Sequence, residues 1–175
     1  MPWPAGAGSR AEQGAFTGPA ADEPQAALIC PLGGVQYARV SRRVIRTTAA
    51  PAAVGPYSQA IVEGNLVFCS GQIPLDPATG RLVPGDIETQ TRRALDNVVA
   101  VLDSAGSSLG AVCKVSVFVT DLADFSRINQ VYASYFGEDP PARSTVQVAA
   151  LPLGAQIEIE VIARVDSPAR SERAG

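Results

Sequence analysis

The chain divides into short apolar runs of period two and two longer stretches whose apolar positions recur at a helical spacing. Residues 44–48 can form a first short strand. Residues 59–62 and 66–70 are apolar runs joined by Glu63-Gly64-Asn65, a glycine-containing link that predicts a hairpin. Residues 76–80 read as a polar turn punctuated by Pro77 and Gly80. A helix is predicted to begin at Asp86, whose carboxylate can accept from the first free amides, with Glu88 favoured by the dipole of the first turn. Leu95, Val98, Val99 and Leu102 fall on one face of it, and Gly106 is a natural stop. Residues 112–119 form a valine-rich strand with Val115, Val117 and Val119 on one side. Asp121 or Asp124 can cap a second helix with the stripe Phe125, Ile128, Tyr132, Tyr135 and Phe136, ending at Gly137. Residues 144–148 and 157–165 supply two last strands, the second alternating apolar with carboxylate through Ile157-Glu158-Ile159-Glu160.

This order predicts an α+β unit, a mixed β-sheet with two helices packed on one face. The other face carries Lys114, Ser116, Phe118, Glu158, Glu160 and Ile162, too mixed to be freely solvated. That predicts burial against further copies of the chain. Residues 41–166 form this domain. Residues 1–40 are rich in Ala, Gly and Pro without sustained periodicity, so they cannot offset their ordering entropy, and a disordered extension is predicted. Arg10 is the only cation in the first 38 residues, and no basic start precedes an apolar block, so neither a transit nor a signal peptide fits. A competing reading makes Val40 the first natural residue. Residues 167–175 read as a short charged tail.

Composition narrows the partners. A length of 175 residues suits a single core. A net charge of -3 disfavours an electrostatically driven nucleic-acid partner. The chain has no histidine, which removes the commonest general base and metal ligand together. Its three cysteines, Cys30, Cys69 and Cys113, lack a C-x-x-C spacing, so no metal site, no disulfide framework and a reducing, cytoplasmic setting are predicted. No stretch approaches the ~18 apolar residues of a membrane span, and no membrane partner is predicted.

Candidate chemistry rests on a few positions. Arg143 follows Pro141-Ala142 and enters a β-branched run, which fixes it on a stiff element. It is either a structural ion-pair partner or a planar fork for a carboxylate. Glu160 is either part of a solvated strand face with Glu158 or a half-buried acid shifted toward acid–base use by desolvation and like charge. Asn129 lies on the apolar stripe between Phe125 and Tyr132 and needs partners, from a strand or from a ligand or neighbouring subunit. Tyr57 in Gly55-Pro56-Tyr57-Ser58 is core packing or a pocket wall. Ser70-Gly71-Gln72 ends a strand, and Gly71 lets a ligand approach the backbone closely. Cys69, in an apolar strand, reads as packing rather than as a nucleophile. No phosphate-binding glycine loop or Ser–His pattern is present.

The stretches 50–60, 70–74, 90–98, 115–119 and 129–136, then Pro141-Ala142-Arg143-Ser144 and Ile157-Glu158-Ile159-Glu160, occur in an order that resembles the RidA (YjgF-type) reactive-intermediate deaminases. The resemblance runs over residues 47–165. It implies a chorismate-mutase-like (RidA/YjgF-like) fold and a homotrimer with intersubunit clefts. It also implies hydrolysis of 2-imino or 2-enamino acids, such as 2-aminoacrylate, to 2-oxo acids and ammonia, with no cofactor. Arg143 is implied to bind the substrate carboxylate, Glu160 to handle water and proton, and Tyr57, Ser70, Gly71, Asn129 and Thr145 to line the cleft. Some members carry cysteine where Thr145 stands. The rival expectations are a non-enzymatic small-anion-binding or holdase-type protein and, less favoured by the acidic balance, a ribonuclease or translation inhibitor.

Overall fold

The computed structural model describes residues 42–166, so the expectations for residues 1–40 and for the tail 167–175 lie outside the described residues. Six strands form one sheet: β1 (Arg43–Ile45), β2 (Ala60–Glu63), β3 (Leu66–Gln72), β4 (Val112–Val119), β5 (Ala142–Gln147) and β6 (Ile157–Arg164), in the order β1-β2-β3-β6-β4-β5. The helices are α1 (Ile87–Ala105) and α2 (Phe125–Phe136). All strand pairs are antiparallel except β4 with β5, so the sheet is mixed. The final strand β6 slots between β3 and β4, which makes α1 a crossover between two strands that run the same way. Among the described residues no helix is long and apolar enough to cross a membrane.

Local chemistry explains the boundaries. Asp86 caps α1 by accepting from the Thr89 amide at 3.1 Å, and Gly106 ends it with φ 76 in the left-handed region open to glycine. Asp121 accepts from the Ala123 amide at 2.8 Å and caps a short 3₁₀ turn that runs into α2, whereas Asp124 stands at the N-cap of α2 without a side-chain capping bond. The β2–β3 link is a two-residue turn, because Glu63 pairs directly with Leu66; Gly64 takes φ 62 at its first central position.

Two strands differ from expectation. β1 stops at Ile45 because the Gln59 side chain captures the chain beyond it. Gln59 Oε1 accepts from the Thr47 amide at 2.8 Å, while Nε2 donates to the carbonyls of Thr47 (3.0 Å) and Pro51 (2.8 Å). β5 starts at Ala142, two residues early, and so includes Arg143 in its parallel ladder with β4.

The helix-covered face holds the core. Val67, Val115, Val117, Val119, Ile157, Ile159 and Ala163 are fully buried there beneath Leu95, Val98, Val101 and Leu102 of α1. Burying each of the valine, leucine and isoleucine side chains contributes roughly 1.5–3 kcal/mol relative to exposure. The opposite face is the mixed one anticipated: Lys114, Ser116, Phe118, Glu158 and Ile162 are half-buried, whereas Phe68, Ser144, Val146 and Glu160 are exposed.

Candidate active site

Arg143 is seated by α2. Its Nη2 donates to Asn129 Oδ1 at 2.7 Å, and the guanidinium carbon lies 4.4 Å from the Tyr132 ring centroid and 5.6 Å from that of Phe125. Phe125, Asn129 and Tyr132 are four and then three residues apart, so one face of α2 presents two aromatic faces and an amide oxygen to one cation. The Asn129 amide oxygen thus has a helix-to-strand partner in Arg143. The same arrangement corrects the apolar stripe: Phe125, 41% exposed, belongs to the seat of Arg143 and not to the core. No carboxylate among the described residues pairs with Arg143. Arg143 is half-buried, with Nη2 held by Asn129.

A cavity of about 430 Å³ lies elsewhere, between the 51–57 loop, the end of β3, the Pro152–Gly154 turn and β6. Tyr57, Ser70, Gly71 and Glu158 line it. A β-bulge shapes its floor: Cys69 pairs with Val161 and Gln72 with Ile159, so Ser70 and Gly71 together oppose one residue of β6. Ser70 Oγ donates to the Ser58 carbonyl at 2.7 Å and ties the bulge to the loop. The Glu158 carboxyl rests on the bare backbone of Gly71, where an added Cβ would collide with Oε1 and stand 2.7 Å from the carboxyl carbon. Glycine is needed there for room. The Tyr57 hydroxyl accepts from the Val54 amide at 3.2 Å and closes the loop over the cavity.

The carboxylate in this cavity is Glu158, and not Glu160, the acid singled out from the sequence. Glu160 occupies a separate groove of about 230 Å³ with Lys114 and Ser116. The two acids share a strand face, and period two alone cannot tell which side chain reaches Gly71 and the cavity. Desolvation raises the Glu158 pKa above its ordinary value, and the negative charge of Glu160 adds to it. Burial, with Glu160 again adding, pushes the Cys69 thiol up to about 12, which leaves it an inert packing group.

Arg143 and Glu158 do not meet within one protomer. Arg143 lies in register with Val115 and Val161, both buried under the helices, whereas Glu158 lies in register with Phe118 and Val146 on the open face. Nor are their strands neighbours, since β4 separates β5 from β6. Thr145 shares the helix-covered side with Arg143 and lines no part of the Glu158 cavity. Tyr57, Ser70, Gly71 and Glu158 are thus brought together in one group, and Arg143 with Asn129 in another. Sequence reasoning missed Glu158 and Gln59 as contributors; for Gln59 the available signal was a glutamine at a buried strand entrance.

Comparison with known proteins sets this geometry in context. The family described as endoribonuclease L-PSP matches residues 47–165. A RutC family protein of Pyrococcus abyssi is 52% identical over 124 residues, spanning 71% of this chain and 98% of the relative. A 2-iminobutanoate/2-iminopropanoate deaminase of Capra hircus is 48% identical over 122 residues, spanning 70% of this chain and 89% of the relative. The crystal structure of Escherichia coli TdcF with bound serine superposes with a TM-score of 0.68 at 48% identity, covering 71% of this chain and 99% of that one.

Proposed function

Since this chain belongs to the endoribonuclease L-PSP (YjgF/RidA) family, we propose that it hydrolyses 2-imino acids, and the 2-enamino acids that tautomerise to them, to 2-oxo acids and ammonia. The observation that carries this reading is the Arg143 guanidinium, seated on Tyr132 and Asn129 with no carboxylate partner among the described residues. A 2-imino acid presents a carboxylate beside its C=N bond. Arg143 takes that carboxylate through parallel N–H bonds and so fixes C2.

Glu158, rather than Glu160, takes the acid–base part. Its carboxylate accepts a proton from water as the water oxygen adds to C2 and the C=N π electrons go to nitrogen. That proton passes to nitrogen to give a C2 hydroxy-amine. The Glu158 carboxylate then takes the C2 hydroxyl proton and delivers it to nitrogen, so the C2–N bond breaks with its electron pair, ammonia leaves and C2=O forms. From 2-iminopropanoate the products are pyruvate and ammonia. Such imines hydrolyse unaided, so modest catalysis suffices; one acid–base group is worth ~10²–10⁴-fold and positioning adds to it.

Because Arg143 and Glu158 face opposite sides of one sheet, this mechanism takes them from different copies of the chain. A closed homotrimer in which the open sheet face and the β5 edge meet a neighbour gives three such clefts. The exposed Phe68 and Val146 on that face support burial against another copy.

The test follows the loss of imine generated in situ by an amino-acid oxidase, with semicarbazide trapping whatever survives. Wild type is expected to cut the trapped imine sharply and Arg143→Ala to leave it at the enzyme-free level. A wild-type protein that binds a 2-oxo acid without accelerating imine loss is an anion-binding module, and the hydrolase reading is then wrong.

A further inference from the structure

Two of the described apolar side chains stand out for exposure, Val54 at 74% and Leu153 at 65%, and both line the Glu158 cavity. Leu153 is also the one non-glycine residue among the described residues with a positive φ, at φ 57 and ψ 15. A side chain bearing a Cβ is crowded by its own carbonyl in this left-handed region, which glycine enters freely. Gly154 beside it has φ 76, so a strained leucine occupies a turn where a second glycine would fit without strain. Neither position is explained by the core, to which neither residue belongs. Val54 is in turn fixed by the bond from its amide to the Tyr57 hydroxyl.

We propose that Leu153 and Val54 are specificity-determining residues: they form an apolar rim that receives the side chain of the 2-imino acid and favours branched aliphatic substrates over 2-iminopropanoate. This rests on the hydrolase function proposed above. The cavity, at about 430 Å³, falls in the range that holds ligands larger than a three-carbon acid. A substrate whose C2 reaches Glu158 lies in the same cavity that Val54 and Leu153 line, so its substituent has this apolar rim within reach. Closing an apolar side chain against Leu153 and Val54 removes apolar surface from water on both partners, and it displaces water from beside Glu158. A three-carbon substrate has only a methyl group to offer there.

The experiment compares kcat/KM for imines generated from leucine and from alanine, in wild type, Leu153→Asn and Leu153→Gly. Asparagine tolerates the left-handed region while replacing the apolar surface with an amide, and glycine removes both strain and surface. The leucine-to-alanine ratio of kcat/KM is expected to fall about tenfold in both variants, the scale of losing a few methyl-sized contacts in an apolar pocket. The thermal midpoint of Leu153→Gly is expected to stay at or above that of wild type, because the strain is gone. An unchanged ratio overturns the proposal, including the case in which both activities fall together because the rim belongs to a subunit contact. Wild type active on both imines with an unchanged ratio in the variants defeats this inference alone; wild type inactive on both defeats the hydrolase reading and this inference with it.

Discussion

Arg143 is defined by what surrounds its guanidinium, a 2.7 Å bond to Asn129 and the Tyr132 ring 4.4 Å away. Lysine keeps the charge but has neither a planar fork nor a surface to stack on tyrosine. Arg143→Lys is therefore expected to lower kcat/KM for imine hydrolysis by roughly 10- to 100-fold, the loss of one charge-assisted hydrogen bond, read by steady-state kinetics with folding checked by circular dichroism. Glu158 carries the opposite kind of tension. Its pKa is raised in the folded protein, first by desolvation and then by Glu160, so the folded state holds its proton more tightly than the unfolded chain does. Stability from this group is greatest below the unfolded carboxyl pKa and is lost as pH rises through the folded value. At neutral pH the ionised carboxylate is a cost, and Glu158→Gln is expected to raise the melting temperature while lowering kcat about 10²-fold or more. Glu160→Gln removes a like charge, lowers the Glu158 pKa and moves the acid limb of the pH–rate profile to lower pH. An unmoved limb would separate Glu158 from the titration.

At the scale of elements, caps and turns were the most legible features because their determinants are local. Asp86 and Gly106 bracket α1 as their residue types require. Gly106→Ala places a Cβ in the left-handed region at φ 76, with nothing nearer than Val165 Cγ1 at 3.9 Å to clash with. The cost is then purely conformational, about 1 kcal/mol, and is expected as a lower urea midpoint with an unchanged m-value. Elements shaped by distant partners were harder to read. Gln59 ends β1 by drawing in the chain at Thr47 and Pro51, and nothing in residues 44–48 themselves signals this. The β3 bulge arises only because β6 lies alongside, and it is the bulge that brings Gly71 under Glu158. Helix α2 shows the same limit: Phe125 fits an apolar stripe by period, yet β5 brings Arg143 against it. Arg127 links the two helices at their N-terminal ends, bonding Glu88 at 3.0 Å and reaching Asp86 at 2.6 Å. As an exposed cluster it contributes to alignment more than to stability.

Arg143 and Glu158 lie on opposite faces of one sheet, which sets the most discriminating test of the proposed function. If a working cleft takes Arg143 from one copy and Glu158 from another, two inactive variants can repair each other. Refolding equal amounts of Arg143→Ala and Glu158→Gln together is expected to restore one cleft in each mixed trimer, roughly a quarter of all clefts in a random assembly, whereas each variant alone stays inactive. Failure to recover any activity, with mixed assemblies verified by native mass spectrometry, would reject the shared cleft. The open face is suited to such an arrangement in its composition. Lys114 Nζ donates to Ser144 Oγ at 2.7 Å across β4 and β5, Glu160 lies in the same groove as Lys114, and Phe68 and Val146 are left exposed around them.

The amino-acid pattern by itself determined the number and order of strands and helices, the helix caps, the mixed character of the uncovered sheet face and the choice of Arg143 as the cation of interest. Each follows from local periodicity, from a residue type with a fixed backbone preference, or from motif order along the chain. Only the tertiary structure decided which of Glu158 and Glu160 lies in the cavity, because two residues on one strand face are equivalent until a neighbouring bulge distinguishes them. It also decided that Arg143 and Glu158 face away from each other, since β5 lies in register with β4 and not with β6, and a side chain's face is set by that pairing. And it decided that Leu153 stands exposed at a cavity rim, because a left-handed backbone at a leucine is imposed by the closing of a turn and has no signature in the residue itself.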